Sequence, residues 1–242
     1  MRNFEDRSRE RWALFKRKDQ ANTKLAIFVH GFCGGYLSTW GALPDLLYKN
    51  ADTEQPFCDW DYLFLGYSTL NIDSYLDIAG LLSTQMSRAL KGGRQYGQPY
   101  QEISLFGHSL GTLGIRQFLC AWSFSDPALV QAIKSVMLFG SPGEGSLLAH
   151  LAAPILAVGS ALTPKNPQLR MLKQWTCGAR SVNTWPKPRL VIGMDDWVVG
   201  KEACEFAGDG EVEFENLGHF ALVKPNSWGN SSVLDFISTA LT

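Results

Sequence analysis

The chain has 242 residues, 45% of them hydrophobic and 19% charged, with a formal net charge of −1 and a pI near 6.4. That length supports one sizeable core, and the near-neutral balance excludes a global field that would draw nucleic acid or an anionic membrane. Five cysteines stand scattered without a CxxC pair. Neither a disulfide framework nor a zinc site is therefore expected, and each cysteine reads as a small buried apolar residue.

Residues 1–23 mix both charges around Phe4, Trp12 and Phe15. They read as an N-terminal charged arm or surface helix, for which peripheral contact with a membrane or partner is a second use. They hold no apolar h-region, and no stretch of the chain approaches the roughly 18 apolar residues of a bilayer span. A cytoplasmic location without an integral membrane segment is expected.

Strands and helices then alternate. Lys24 to Val29 is a continuous apolar run, the pattern of a strand buried on both faces. Residues 39–49 suit a short helix and Asp61 to Gly66 a second strand. Tyr75, Ile78, Leu82, Met86 and Leu90 follow at helical spacing over 73–91, with Asn71 or Asp73 as cap and Gly92-Gly93 as stop. Further strands are predicted at 102–106, 136–139, 190–192 and 212–214, and further helices at 110–124 and 227–241. This order predicts an α/β fold over 24–242, a mostly parallel doubly wound sheet of about six strands flanked by helices. Ligands then bind beyond the carboxyl ends of the strands. Residues 145–178 are rich in Leu and Ala, broken by Pro154, Pro164 and Pro167, and too long for a plain connection. They read as a helical lid inserted after the strand at 136–139, or else as a long helix with an irregular tail.

One motif gives that sheet edge a chemistry. Gly107-His108-Ser109-Leu110-Gly111 joins the apolar run at 102–106 to the helix at 110–124. A sharp strand-to-helix turn throws one side chain out at the sheet edge, and it crowds the positions two before and two after, where only glycine fits. Ser109 is the projected residue, and the following helix N-terminus favours a developing anion.

A serine hydroxyl needs a general base, and the base needs an orienting carboxylate. Of the four histidines, His219 lies just past the last strand, where a loop returns it to the elbow. His30 and His108 read as structural or pocket-lining, and His150 as surface. Asp196, at the end of the strand at 190–192, is the favoured acid, with Asp195 the alternative and Glu144 a weaker one. Oxyanion donors are expected from the Leu110 amide and from the loop His30-Gly31-Phe32-Cys33-Gly34-Gly35, where Phe32 leads and Cys33 stands behind it.

HGFCGG at 30–35, GHSLG at 107–111, GMDDWVV at 193–199 and LGHF at 217–220 together resemble the α/β-hydrolase superfamily, over residues 24–242. HGFCGGYLSTWGALPDLL with the later GSPGEGSLLAHLA is similar to its lipase/esterase-like branch. The resemblance implies acyl transfer to water through Ser109, His219 and Asp196, with no metal or organic cofactor. It departs from the full fold in that the first two of eight strands are not evident in residues 1–23. Tyr36, Trp40, Trp197 and Phe220, with Leu148 and Leu151 of the lid, are the expected apolar substrate contacts, suiting a small-molecule or lipid ester. An acyl-thioesterase or deacylase uses the same triad. A non-catalytic binding protein of this fold is the remaining alternative.

Overall fold

The computed structural model describes residues 4–6, 12–17, 21–50, 54–143, 145, 163, 166–182, 185–199, 209–229 and 231–242. The strands are β1 (Phe4–Asp6), β2 (Trp12–Arg17), β3 (Lys24–Val29), β4 (Trp60–Leu65), β5 (Glu102–His108), β6 (Ile133–Phe139), β7 (Arg189–Gly193) and β8 (Val212–Glu215). The helices are α1 (Leu43–Asn50), α2 (Tyr75–Lys91), α3 (Leu110–Ser125), α4 (Pro127–Gln131), α5 (Pro167–Val182) and α6 (Ser232–Leu241).

The strands form one sheet in the order β1-β2-β4-β3-β5-β6-β7-β8. Every pairing from β4 onward is parallel, while β2 meets both β1 and β4 antiparallel. Parallel strands need crossovers on the sheet faces, which is why β3 and β4 are apolar at nearly every position rather than alternating. The period of two still sorts their side chains. Leu25, Ile27, Val29, Leu63 and Leu65 join the core under α2 and α3, with Ile78, Leu82, Leu113 and Phe118. Ala26, Phe28, Tyr62, Phe64 and Phe106 face the other way, with Leu43 and Leu47 of α1 and Leu234 and Ile237 of α6. On that face Phe28 stacks between Phe64 and Phe106 on the neighbouring strands, with ring centroids 4.7 Å apart on each side. Stacked aromatics there tie the three central strands together beyond their backbone ladder.

The sheet has eight strands, not about six, and residues 4–6 and 12–17 supply the difference. These residues are strands rather than an arm or a helix. Trp12 to Phe15 are all buried and run antiparallel to β4, Trp12 opposite Leu65 and Phe15 opposite Tyr62. The carboxyl of Asp61, buried on β4, holds the end of this strand. The Arg17 N–H donates to Asp61 Oδ1 at 3.1 Å, and Lys16 Nζ lies 3.8 Å from Asp61 Oδ2. The Tyr100 hydroxyl donates to the same carboxyl at 2.5 Å. Burial pushes the Asp61 carboxyl above its ordinary range, against these hydrogen bonds.

Two local expectations also change. Ser74 caps α2, not Asn71 or Asp73. Its Oγ accepts the Leu76 N–H at 3.1 Å, while Asp77 Oδ2 accepts the Ser74 N–H at 3.1 Å, a capping box. Cys120 is buried, but Cys33 and Cys177 are exposed and Cys58 is half-buried. Most of the proposed lid, with Leu148, Leu151, His150 and the preceding Glu144, lies outside the described residues. Its C-terminal part is α5, which packs on α3 through Leu169 and Leu172. Among the described residues, no helix is long and apolar enough to cross a membrane, and no group of His, Cys, Asp or Glu suits a metal ion.

Candidate active site

The site lies at the carboxyl ends of β3, β5, β6 and β7. Ser109 follows the last residue of β5 and immediately precedes α3. Its φ of 52° and ψ of −124° place it in a region that L-residues seldom occupy. Its backbone is over-determined. The Ser109 N–H donates to the Phe139 carbonyl at 2.9 Å, and its own carbonyl accepts the Thr112 N–H at 2.9 Å and the Thr112 hydroxyl at 2.6 Å. With its proton committed there, Thr112 Oγ1 accepts from the Ser141 hydroxyl 2.9 Å away. A serine at this position of a helix usually turns its hydroxyl onto the first turn. Ser109 makes no such cap bond, so its Oγ is left for chemistry.

The two flanking glycines are sterically required. A Cβ at Gly107 would meet Ile115 Cδ1 at 2.9 Å and the Thr112 backbone at 3.1 Å. At Gly111 it would collide with the carbonyl oxygens of Val29 and His30. Backbone atoms cannot swing aside, so α3 reaches β3 this closely only without side chains.

His219 follows β8 on a loop. Its Nδ1 lies 2.7 Å from Asp196 Oδ2, and both residues are buried. Asp196 Oδ1 accepts the Val198 and Val199 N–H groups, each at 2.9 Å. One carboxylate oxygen is thus held by the backbone and the other faces the imidazole. Asp195 is exposed and makes no such contact. Of the two neighbours it is Asp196 that contacts His219. Because a carboxylate accepts at Nδ1, the His219 proton sits there and Nε2 carries the lone pair.

The loop after β3 turns back sharply, the Gly34 N–H donating to the Gly31 carbonyl at 3.2 Å. Phe32 is half-buried at its corner and Cys33 takes a φ of 52°. Gly31 abuts Ser109, where a Cβ would lie 2.7 Å from Ser109 Cβ. His30 fixes the base of this loop. Its ring stacks on Tyr67 at 4.0 Å, its Nε2 accepts the Tyr67 N–H at 3.2 Å, and the Tyr67 hydroxyl donates to the His30 carbonyl. Burial lowers the His30 pKa, outweighing these bonds, and keeps it neutral.

The remaining expected residues divide. Leu110 is fully buried, its side chain in the core under α2 and α3. Trp197 and Phe220 are 65% and 54% exposed, and the Phe220 ring meets His219 edge-on at 5.3 Å. Tyr36 is half-buried against the α1 side of the core. Trp40 is not a substrate contact. It is completely buried, 5.1 Å from Phe28 and 6.3 Å from Phe64 in edge-on contacts. A large aromatic beside the oxyanion loop in sequence serves the core beneath it.

Sequence reasoning missed Gly140. A Cβ there would stand 3.1 Å from His219 Nδ1 and 3.2 Å from Asp196 Oδ2, and its φ is +54°. The signal available was a glycine at the end of the strand next to the one bearing Ser109.

No protein-family model matches the sequence, and no curated protein matches it. Solved structures do. The lipase BlEst2 of Bacillus licheniformis in its mature form has a TM-score of 0.67 at 16% identity, covering 95% of this chain and 97% of that one. Its propeptide form has a TM-score of 0.71 at 15% identity, and this chain spans 53% of its length. The metagenomic enzyme MGS-MChE2, an alpha/beta hydrolase, has a TM-score of 0.51 at 16% identity over 90% of this chain and 91% of its own. The chain has the α/β-hydrolase fold. Identities this low make the likeness one of architecture.

Proposed function

We propose that the chain is a serine hydrolase of carboxylic esters, with Ser109 as nucleophile, His219 as general base and Asp196 as its orienting acid. The observation that carries this reading is the pairing of an elbow-mounted serine, its hydroxyl kept off the helix, with a buried His219–Asp196 contact of 2.7 Å.

The chemistry follows from the groups present. His219 Nε2 takes the Ser109 proton as Oγ attacks the ester carbonyl carbon. The carbonyl π pair moves onto oxygen, and the Leu110 and Phe32 amides stabilise that anion. Collapse expels the alkoxide, which takes the proton from His219 and leaves as the alcohol. Water then repeats attack and collapse on the acyl-enzyme, releasing the acid and restoring Ser109. Asp196 keeps its two backbone donors throughout and balances the transient imidazolium.

The exposed Phe220 beside the base and Trp197 next to Asp196 in the chain favour an ester with an apolar acyl or alcohol part. Lipases among the structural neighbours, including a monoacylglycerol lipase with a TM-score of 0.54, agree with that class. The test is hydrolysis of p-nitrophenyl esters from acetate to palmitate by the wild type and by Ser109→Ala. Turnover lost in the mutant supports the reading. A folded wild type inert toward every length overturns it.

A further inference from the structure

His108 is the last residue of β5, next to the nucleophile and 3% exposed. Its side chain does not reach toward solvent or substrate. Its Nε2 lies 3.0 Å from the backbone carbonyl of His219, 111 positions away in sequence. A carbonyl only accepts, so Nε2 carries the proton and Nδ1 the lone pair. That Nδ1 is buried without a partner, and it faces Gly31, whose Cβ would stand 3.1 Å from it. The two imidazoles lie 4.7 Å apart at 45°.

A buried, half-satisfied imidazole is an expensive filler, since its unpaired nitrogen costs about 1–3 kcal/mol that an apolar side chain would avoid. Its placement explains it. Ser109 sits on the rigid sheet, whereas His219 sits on a loop after the edge strand β8. Asp196 holds the His219 ring through Nδ1 and does not act on the loop's backbone. The His108 bond acts on the backbone of His219 itself. We propose that His108 is a positioning residue, whose Nε2–H ties the loop bearing the base to the strand bearing the nucleophile. One side-chain hydrogen bond, from the residue next to Ser109 to the backbone of His219, then helps to set the spacing of nucleophile and base. The ring is held neutral, its pKa lowered to about 3 by burial and by the neighbouring His219. It therefore adds no charge against the imidazolium that forms on His219.

This role rests on the proposed triad, and two variants separate it from that reading. His108→Leu removes the donor and keeps apolar bulk. His108→Gln restores an N–H near the Nε2 position. With the most active p-nitrophenyl ester, His108→Leu is expected to lose about 10 to 100-fold in kcat with KM within about threefold, as a displaced catalytic group would. His108→Gln is expected to recover most of that loss. The readout independent of turnover is the NMR resonance of the His219 Nδ1 proton. In His108→Leu it should broaden or vanish through faster exchange, and in His108→Gln it should persist. Wild-type kcat in His108→Leu, or a sharp His219 proton in that variant, overturns the proposal. So does a glutamine variant no better than leucine at equal melting temperature. A wild type without ester turnover sinks the proposed function, and the NMR comparison then still decides the role of His108.

Discussion

Gly140 lies against the imidazole of His219: a Cβ at its position would stand 3.1 Å from His219 Nδ1. The same Cβ would be 3.2 Å from Asp196 Oδ2, so the contact between His219 and Asp196 closes over a bare backbone. Gly140 also takes a φ of +54° and donates its N–H to the Val191 carbonyl at 3.0 Å, fixing it to β7. Gly140→Ala should therefore move His219 or Asp196 rather than the glycine. The expected loss is about 10 to 100-fold in kcat from misplacement, with about 1–2 kcal/mol of stability from the left-handed backbone. Steady-state kinetics and a urea titration of the purified variant check both.

Asp196 and Asp195 differ sharply despite being neighbours. Asp196→Asn should cost about 10,000-fold in kcat, because an amide in its place stabilises the wrong imidazole tautomer. Asp195→Asn should stay within about twofold, its side chain being exposed. Parallel kinetics on the two variants read the difference directly.

The acid limb of stability depends on His108. Its pKa falls from 6.5 unfolded to about 3 folded, so the unfolded chain binds the extra proton between those values. Stability from its neutral burial is complete above pH 6.5 and is lost as pH falls toward 3, by up to about 1.4 kcal/mol per unit. His30 shifts in the same direction. Asp61 shifts oppositely but is common to wild type and variant. His108→Gln should therefore show a shallower fall in urea midpoint between pH 7 and pH 4.5 than the wild type.

Gly111→Ala should fail by folding rather than by chemistry. Its Cβ would press on two backbone carbonyls of β3 and the following loop, an overpacking cost of about 3 kcal/mol. Circular dichroism melting against Gly178→Ala, where a Cβ meets nothing within 4 Å, provides the control.

The tryptophans separate core from mouth. Trp40→Ala should lose about 3–5 kcal/mol, as for a buried aromatic. Trp197→Ala should leave melting unchanged and raise KM for long acyl chains more than for acetate. Melting curves and a chain-length series distinguish them.

The central strands were legible because parallel pairing buries both faces, and runs such as Lys24 to Val29 need no context to be read. The elbow was legible because its steric demand is local, met within five residues by Gly107 and Gly111. β2 was hidden because Lys16 is answered by Asp61 and the Arg17 guanidinium by the Cys58 carbonyl, partners 41 or more positions away that no local pattern reveals. Trp40 misled for a related reason. Its neighbours in sequence belong to the oxyanion loop, while its neighbours in space, Phe28 and Phe64, belong to the core. Gly140 and the bond from His108 to His219 arise only when β5, β6 and the loop after β8 converge, so they needed coordinates.

The most direct measurement is labelling of folded protein with a fluorophosphonate, followed by mass-spectrometric mapping of the adduct. A single phosphonyl group on Ser109, lost when His219 is replaced by alanine, is the result this account predicts. A wild type that stays unlabelled while folded, or an adduct on another serine, would contradict it.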